Sequence, residues 1–307
     1  MSDREFIIGT RASRLALRQA ELVAAAMRAA LPHAAFHLEH IRSAGDRQSK
    51  EPISNIGSQG VFVGKLESSL RNGDIDIAVH SLKDMPCEES PGLTLAAITV
   101  REDPRDALVS GEDHDLASLP QGAKLGTGSP RRAAQLTAVR PDLRIAEIRG
   151  NVDTRIHKAQ TGEIDAVVLA VAGLNRLGWI ERASEIFPVD IMLPAVGQGA
   201  LALQVRDDDD EALQLAGTLE HPPTRLATTA ERSFLRHLGG GCRAAAAALG
   251  EVTGGSLRLR GLATRTDGQL LLREEVSGQP NDAESLGALL ANRLLAKGAD
   301  SFTEAPP

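Results

Sequence analysis

A chain of 307 residues has room for two or three domains, each able to bury a core of its own. Its formal charge of -7 argues against a nucleic-acid or anionic-membrane partner, and with 2% aromatic residues it has too few rings to stack single-stranded bases. No apolar run reaches signal-peptide or membrane-spanning length, so the chain is expected to be cytoplasmic, with a disulfide between its two cysteines, Cys87 and Cys242, disfavoured.

The chain begins with a short buried strand, Glu5 to Ile8, which runs into Gly9-Thr10-Arg11. A helix follows from about Ser13 to Ala30, with Ser13 as N-cap and Leu15, Leu22, Ala26 and Met27 expected inward. Phe36 and Leu38 alternate with polar residues as a strand, which makes His33, His37 and His40 surface histidines rather than metal ligands. Residues 43–60 have no periodicity and read as a mobile loop. A helix over 62–71 ends at Asn72-Gly73, and the strand Ile75 to His80 exits at Ser81-Leu82-Lys83-Asp84.

The plan then repeats. Lys124 to Gly128 is a strand and loop, Ser129 is an N-cap with Pro130 at the first helical position, and a strand over 143–148 leads to a second N-cap, Asn151. Val152, Ile156 and Ala159 share a face of the helix that follows, and the next strand lies within GEIDAVVLA. Gly73 to Val79 echoes Gly162 to Val168, and Ile8-Gly9-Thr10 echoes Leu125-Gly126-Thr127. Two similar α/β lobes around a cleft are therefore expected, with ligands beyond the carboxyl ends of the strands. Residues 99–105 and 194–199 are the candidate hinges. Asp207 to Glu211 reads as a solvated turn before a helix near 210–219. After His221-Pro222-Pro223 comes a helix to about His237, stopped by three glycines with Cys242 just beyond. Leu257 and Leu259 alternate with Arg258 and Arg260, Thr266-Asp267-Gly268 is a hairpin turn, and 282–297 is a helix carrying Leu286, Leu289, Leu290 and Leu294. The expected domains are 1–99 with 200–219, 100–199, and a small α+β domain over 220–307.

Arginines crowd the helix starts: Arg11, Arg131, Arg132, Arg149 and Arg155. A cation there opposes the helix dipole, so five in corresponding loops make sense if anions sit at those N-termini; solvated surface arginines are the alternative. An exposed pair is worth about 0 to 1 kcal/mol, but at about 4 Å and an effective dielectric near 20 the attraction is roughly 4 kcal/mol, enough for an acidic protein to hold a polycarboxylate in a locally basic site. Gly126 to Arg131 breaks the dinucleotide fingerprint at its third glycine, and no P-loop lysine motif is present, so a nucleotide is not expected.

HSLKDMP at 80–86, GTGSPRRAAQL at 126–136, IRGNVDTR at 148–155, LAVAGLNRLG at 169–178, LPAVGQGAL at 193–201 and GGGC at 239–242 together closely resemble the hydroxymethylbilane synthases, over nearly the whole chain. The resemblance implies two periplasmic-binding-protein-like lobes plus a C-terminal domain. It also implies head-to-tail condensation of four porphobilinogen molecules with loss of ammonia, and release of hydroxymethylbilane by hydrolysis, by a monomer that needs no metal. It implies a dipyrromethane cofactor joined by a thioether to Cys242, and Asp84 as catalytic acid and base. Ser81, Lys83, Thr127, Ser129, Arg131, Arg132 and Arg155 would hold cofactor side chains, and Arg11, Ser13, Arg149 and Arg176 the substrate or growing chain. Cys87 matches no motif and is read as structural. Three departures from the family pattern stand out: Arg243 and five alanines after the cysteine, Ser58-Gln59-Gly60-Val61-Phe62 in the mobile loop, and Pro130 where leucine is usual. Phe62 is read first as core and second as a cover over a pyrrole. A bilobal small-anion binding protein is the alternative of another class, and a pyrrole-binding chaperone lacking catalysis a third; the first needs no GGGC cysteine and the second no Asp84.

Overall fold

The computed structural model describes residues 4–41, 58–88, 90–239, 245–264 and 271–299. The chain forms two compact units, one of residues 1–101 with 200–225 and one of 102–199 with 226–307.

The first unit contains β1 (Glu5–Arg11), α1 (Arg14–Ala30), β2 (Ala35–Ile41), α2 (Ser58–Asn72), β3 (Ile77–Ser81) and β4 (Leu93–Ile98). Its sheet order is β2-β1-β3-β10-β4, where β10 (Leu201–Arg206) returns late in the sequence and runs antiparallel to both neighbours. Helix α1 and α6 (Asp210–Gly217) cover one face, packing Val23, Met27 and Leu215 on Ile8, Ile77 and Leu203. On the other face α2 packs Leu66 and Leu70 on Ile75 and Ala78.

Two expectations change here. The inward stripe of α1 is Gln19, Ala20, Val23, Ala24 and Met27, while Leu22 and Ala26 are exposed. Leu22 lies one position off the i, i+3, i+4 row that meets the sheet, and Gln19 takes an inward place because Ser81 gives its amide a partner. Residues 207–211 are also more than a solvated turn. Asp209 caps α6 by accepting from the Ala212 N–H and takes ion pairs from Arg4 at 2.8 Å and Arg206 at 2.6 Å. The Arg4 hydrogen bond leads the causes that hold its carboxyl down at about 2.

The second unit repeats the sheet. It is built from β5 (Asp106–Ser110), β6 (Lys124–Gly126), α3 (Pro130–Val139), β7 (Arg144–Ala146), α4 (Val152–Gln160), β8 (Ala166–Ala170), α5 (Val171–Leu177) and β9 (Glu185–Ile186). The order β7-β6-β8-β5-β9 has two parallel pairs at one side and an antiparallel β5 inserted at the other, as in the first unit. The echo extends to single atoms. Asp76 accepts from the Ile7 N–H at 2.8 Å and Asp165 from the Lys124 N–H at 2.6 Å. A Cβ on Gly9 would stand 2.3 Å from Ile75 Cδ1, and one on Gly126 would stand 2.6 Å from Ile164 Cδ1. The glycine in each strand exit is thus the space for the same isoleucine.

The same unit carries the small α+β part: α7 (Pro222–Leu238) from Leu226 onward, the antiparallel sheet β11 (Ala246–Thr253), β12 (Ser256–Thr264) and β13 (Leu271–Gly278), and α8 (Ala283–Leu295). Phe234, Leu290 and Leu294 of the helices fill its core with Leu257 and Leu259. Leu289, one of the leucines of the expected helix, is 43% exposed, on a row beside the face that Leu286, Leu290 and Leu294 turn to the core. Gly287 allows the closest approach of α8 to α7, since a Cβ there would meet the Ala230 carbonyl oxygen at 2.4 Å. The other face of the sheet, through Ala247, Leu249 and Leu262, packs on Leu193. The turn expected at 266–268 lies outside the described residues, but the strands flanking it pair in hairpin register, Thr264 opposite Leu271.

Candidate active site

In the first unit, parallel β1 and β3 end at one edge of the sheet, which brings Arg11 and Ser13 to the same end as Ser81. Ser13 is the N-cap of α1, its Oγ accepting from the Ala16 N–H at 3.3 Å, and Thr10 Oγ1 donates to the Ala16 carbonyl at 3.1 Å. Buried Gln19 donates to Ser81 Oγ at 3.0 Å and so ties the helix to the strand exit. Leu82 to Asp84 then make one turn of 3-10 helix, anchored by buried Leu82, whose N–H donates to the Ala200 carbonyl. Lys83 and Asp84 are half-buried on that turn.

Directly behind the exit lies a chain of buried polar groups. His80 Nε2 is 3.1 Å from Gln204 Oε1, Gln204 Nε2 donates to Glu67 Oε1 at 3.0 Å, and Ser90 donates to the same oxygen at 2.5 Å. Burial pushes the His80 pKa down to about 4, although the Glu67 charge and the Gln204 hydrogen bond act in the opposite direction. The imidazole is therefore neutral at physiological pH.

In the second unit the ends of β6, β7 and β8 form the corresponding edge. Ser129 caps α3, accepting from the Arg132 N–H at 3.4 Å, and Pro130 occupies the first turn, as the sequence predicts. Buried Thr127 accepts from the Ser129 N–H at 3.1 Å and donates its own N–H to the Ala146 carbonyl, which fastens this loop to the end of β7. Arg131 and Arg132 are not solvated: both are buried. They converge on Asp106, fully buried at the start of β5, where register sets it opposite Ala170 at the end of β8. Arg131 Nη1 is 2.8 Å from Asp106 Oδ2, and Arg132 holds Oδ1 through Nη2 at 2.7 Å and Nε at 3.1 Å. Gln198 adds a third donor to Oδ1 at 2.9 Å. Burial alone would raise the Asp106 pKa, but the two guanidinium charges outweigh it and hold the carboxyl well below the usual carboxylate range. Burial also lowers the Arg131 pKa, against the pull of Asp106.

Two guanidinium charges against one carboxylate leave this buried trio with a net charge of +1. Buried charge of that kind is costly unless an anion meets it. The remaining arginines differ. Arg149 is exposed and paired with exposed Glu147 at 2.8 Å, a contact of little energetic weight. Half-buried Arg155 donates from Nε to the Gly150 carbonyl, and the two arginines flank the start of α4. Asn151 is the N-cap of α4, but its side chain makes no cap hydrogen bond. Arg176, in the last turn of α5, donates to the Gly199 carbonyl, and burial pushes its pKa down to about 10 against the pull of Glu102, which leaves it charged at neutral pH.

Cys242, residues 43–57 of the expected loop and the side chain of Phe62 lie outside the described residues, whereas 58–60, read as the end of that loop, instead form the start of α2. Among the described residues no His, Cys, Asp or Glu cluster could hold a metal ion. The arginine-rich donor set fits a group bearing several carboxylates, and the +1 trio at a capped helix start fits one of them. Sequence reading missed Asp106, Gln198, Gln19 and the His80 chain. The one local signal for Asp106 is an acid opening the otherwise apolar strand DALV.

Fold and site define an α/β protein with arginines and hydroxyls at the strand ends of each of its two units. Residues 6–214 match the family profile described as the dipyromethane cofactor binding domain of porphobilinogen deaminase, and residues 225–296 match that of its C-terminal domain. Porphobilinogen deaminases of Geotalea daltonii and of a Roseiflexus species are each 47% identical, over 98% and 95% of this chain and 95% and 96% of their own length. That of Syntrophomonas wolfei is 45% identical over 96% of each chain. Among solved structures, the VFT2 domain of Bordetella pertussis BvgS aligns with 70% of this chain and 86% of its own at 14% identity and a TM-score of 0.42. The chain belongs to the porphobilinogen deaminase family, the hydroxymethylbilane synthases, transferases of tetrapyrrole biosynthesis. Its substrate is porphobilinogen, and its family domain is one that binds dipyrromethane.

Proposed function

We propose that Cys242 carries the dipyrromethane through a thioether, that Arg131, Arg132 and Arg155 with Lys83, Ser81, Thr127 and Ser129 hold its acetate and propionate groups, and that Arg11, Ser13, Arg149 and Arg176 bind substrate carboxylates. The observation that carries this reading is the buried Arg131, Arg132 and Asp106 trio with its surplus positive charge at the start of α3. Once bound, the dipyrromethane supplies the free pyrrole α-carbon from which the chain starts. Asp84 works on the substrate in two protonation states. Its carboxyl gives a proton to the amine that leaves porphobilinogen as ammonia, and its carboxylate then balances the positive charge left on that pyrrole. After the new carbon–carbon bond forms, the same carboxylate takes the proton from the coupled α-carbon, which restores the acid for the next cycle. The half-buried setting of Asp84, on a turn pinned by Leu82, supports this role because it limits the geometries available to the carboxylate.

The division into domains 1–99 with 200–219, 100–199 and 220–307, a monomeric state, a cytoplasmic location and the absence of nucleic-acid or membrane partners belong to the same proposal. Among the described residues no helix is long and apolar enough to cross a membrane. Intact mass of the purified protein tests the attachment. The expected excess is two porphobilinogen units less two ammonia, lost in Cys242→Ser; a bare chain with normal turnover overturns it. Asp84→Ala should keep the fold and the mass excess but lose turnover, and full activity in that variant would remove Asp84 from the mechanism.

A further inference from the structure

We infer that Asp106 is a positioning residue: from the start of β5 it aims the Arg131 and Arg132 guanidiniums and holds the trio at one positive charge, matched to one carboxylate of the dipyrromethane. The inference rests on the reading that these arginines hold that group.

Each part of the geometry restricts the pair. Arg132 spends Nε and Nη2 on Asp106 Oδ1 and Nη1 on the Val168 carbonyl, so its plane is set by the start of β5 and the middle of neighbouring β8. Arg131 Nη1 donates to the Leu193 carbonyl at 2.7 Å and lies 2.8 Å from Asp106 Oδ2, a charge contact without hydrogen-bond alignment. Without the shared carboxylate, two like charges in adjacent positions of one helical turn would repel and swing apart, because burial leaves them weakly screened.

A pure stability role accounts poorly for the arrangement. Buried ion clusters can usually be replaced by packed apolar residues at no loss of stability, and this cluster is not even neutral. The surplus charge has a purpose only if a ligand brings an anion.

Asp106 is itself held. Gln198 Nε2 donates to its Oδ1 and, at 2.6 Å, to the Pro104 carbonyl. The neighbouring Gly197 N–H donates to Glu231 Oε2 at 2.7 Å, and Glu231 Oε1 accepts from the Gly250 N–H at 2.8 Å. A continuous set of buried hydrogen bonds therefore runs from β11 and α7 through the 194–199 loop to the arginine pair. Within this unit, the loop and the arginines keep one register.

The test is the fraction of folded, purified protein that carries the dipyrromethane mass, compared among wild type, Asp106→Asn, Gln198→Met and Arg132→Gln, with thermal unfolding as the check on folding. Asp106→Asn keeps the volume and removes the charge, and its loaded fraction should fall at least tenfold while the folded protein unfolds cooperatively. A purely structural role would reduce yield or melting temperature and leave the loaded fraction of the surviving protein unchanged. Wild-type loading in folded Asp106→Asn therefore overturns the inference. If Asp106→Asn does not fold, Gln198→Met decides: it leaves both ion pairs and removes one donor, so a severalfold loading defect supports the inference and normal loading overturns it. Arg132→Gln separates the two levels. Normal loading there sinks the reading that the arginine pair holds the group, whereas failed loading there with normal loading in Asp106→Asn sinks the role of Asp106 alone.

Discussion

Acidification should strike the first unit at His80. The residue is 6% exposed, and its pKa in the folded chain is about 4, against an ordinary value of 6.5. Below its ordinary pKa the unfolded chain binds a proton that the folded chain refuses, so stability falls as pH drops from 6.5 towards 4 and is complete above that window. A depression of this size corresponds to about 3 kcal/mol at about 1.4 kcal/mol per unit. The groups facing the ring are Gln204 and, through it, Glu67, which also lies 3.6 Å from Arg71. Urea unfolding of wild type and of His80→Asn, followed by far-UV circular dichroism from about pH 7.5 to about pH 4.5, isolates the effect. The carboxylates Asp106, Asp209 and Asp142, the last paired with Arg140 at 2.8 Å, titrate below the ordinary carboxylate range in both proteins, so their contribution cancels in the difference. Wild type should lose about 2.5 kcal/mol of its advantage over the variant across that range, which stops short of the folded-state pKa. A difference that stays constant with pH would refute the claim that a neutral imidazole is part of the packed core beneath Ser81.

Elsewhere, Gly287→Ala should destabilise the second unit by about 1 to 3 kcal/mol, because the new methyl would meet the backbone oxygen of Ala230 rather than a side chain that can turn aside. Chemical denaturation reads this directly, and an unchanged midpoint would mean that α7 and α8 can separate at little cost. Glu147→Gln removes the acid that competes for Arg149; because both partners are more than 60% exposed, stability should change by less than about 0.5 kcal/mol. If Arg149 binds substrate carboxylate, KM for porphobilinogen should fall by up to about fivefold, the equivalent of about 1 kcal/mol, with kcat little changed. A raised KM would count against that role.

Local chemistry was readable in the sequence wherever its partners lie within a few residues. Ser13 and Ser129 cap their helices because the N–H groups they accept from belong to the third residue onward. The duplicated lobes were visible because Gly9 and Gly126, each facing an isoleucine, stand in repeated strings, and the arginines at helix starts were legible as an anomaly against the dipole. Leu22 was misread because periodicity identifies a stripe without saying which of two adjacent rows meets the sheet.

What only the tertiary structure decided is the partner of each charge. Arg132 meets Asp106 across 26 positions and Arg4 meets Asp209 across 205, and no spacing rule connects residues on different strands and helices. Charge pairing in a buried site follows from which strand ends the sheet order sets side by side. By itself the sequence determined that arginines crowd the helix starts; the fold decided that two of them are buried and share one internal acid.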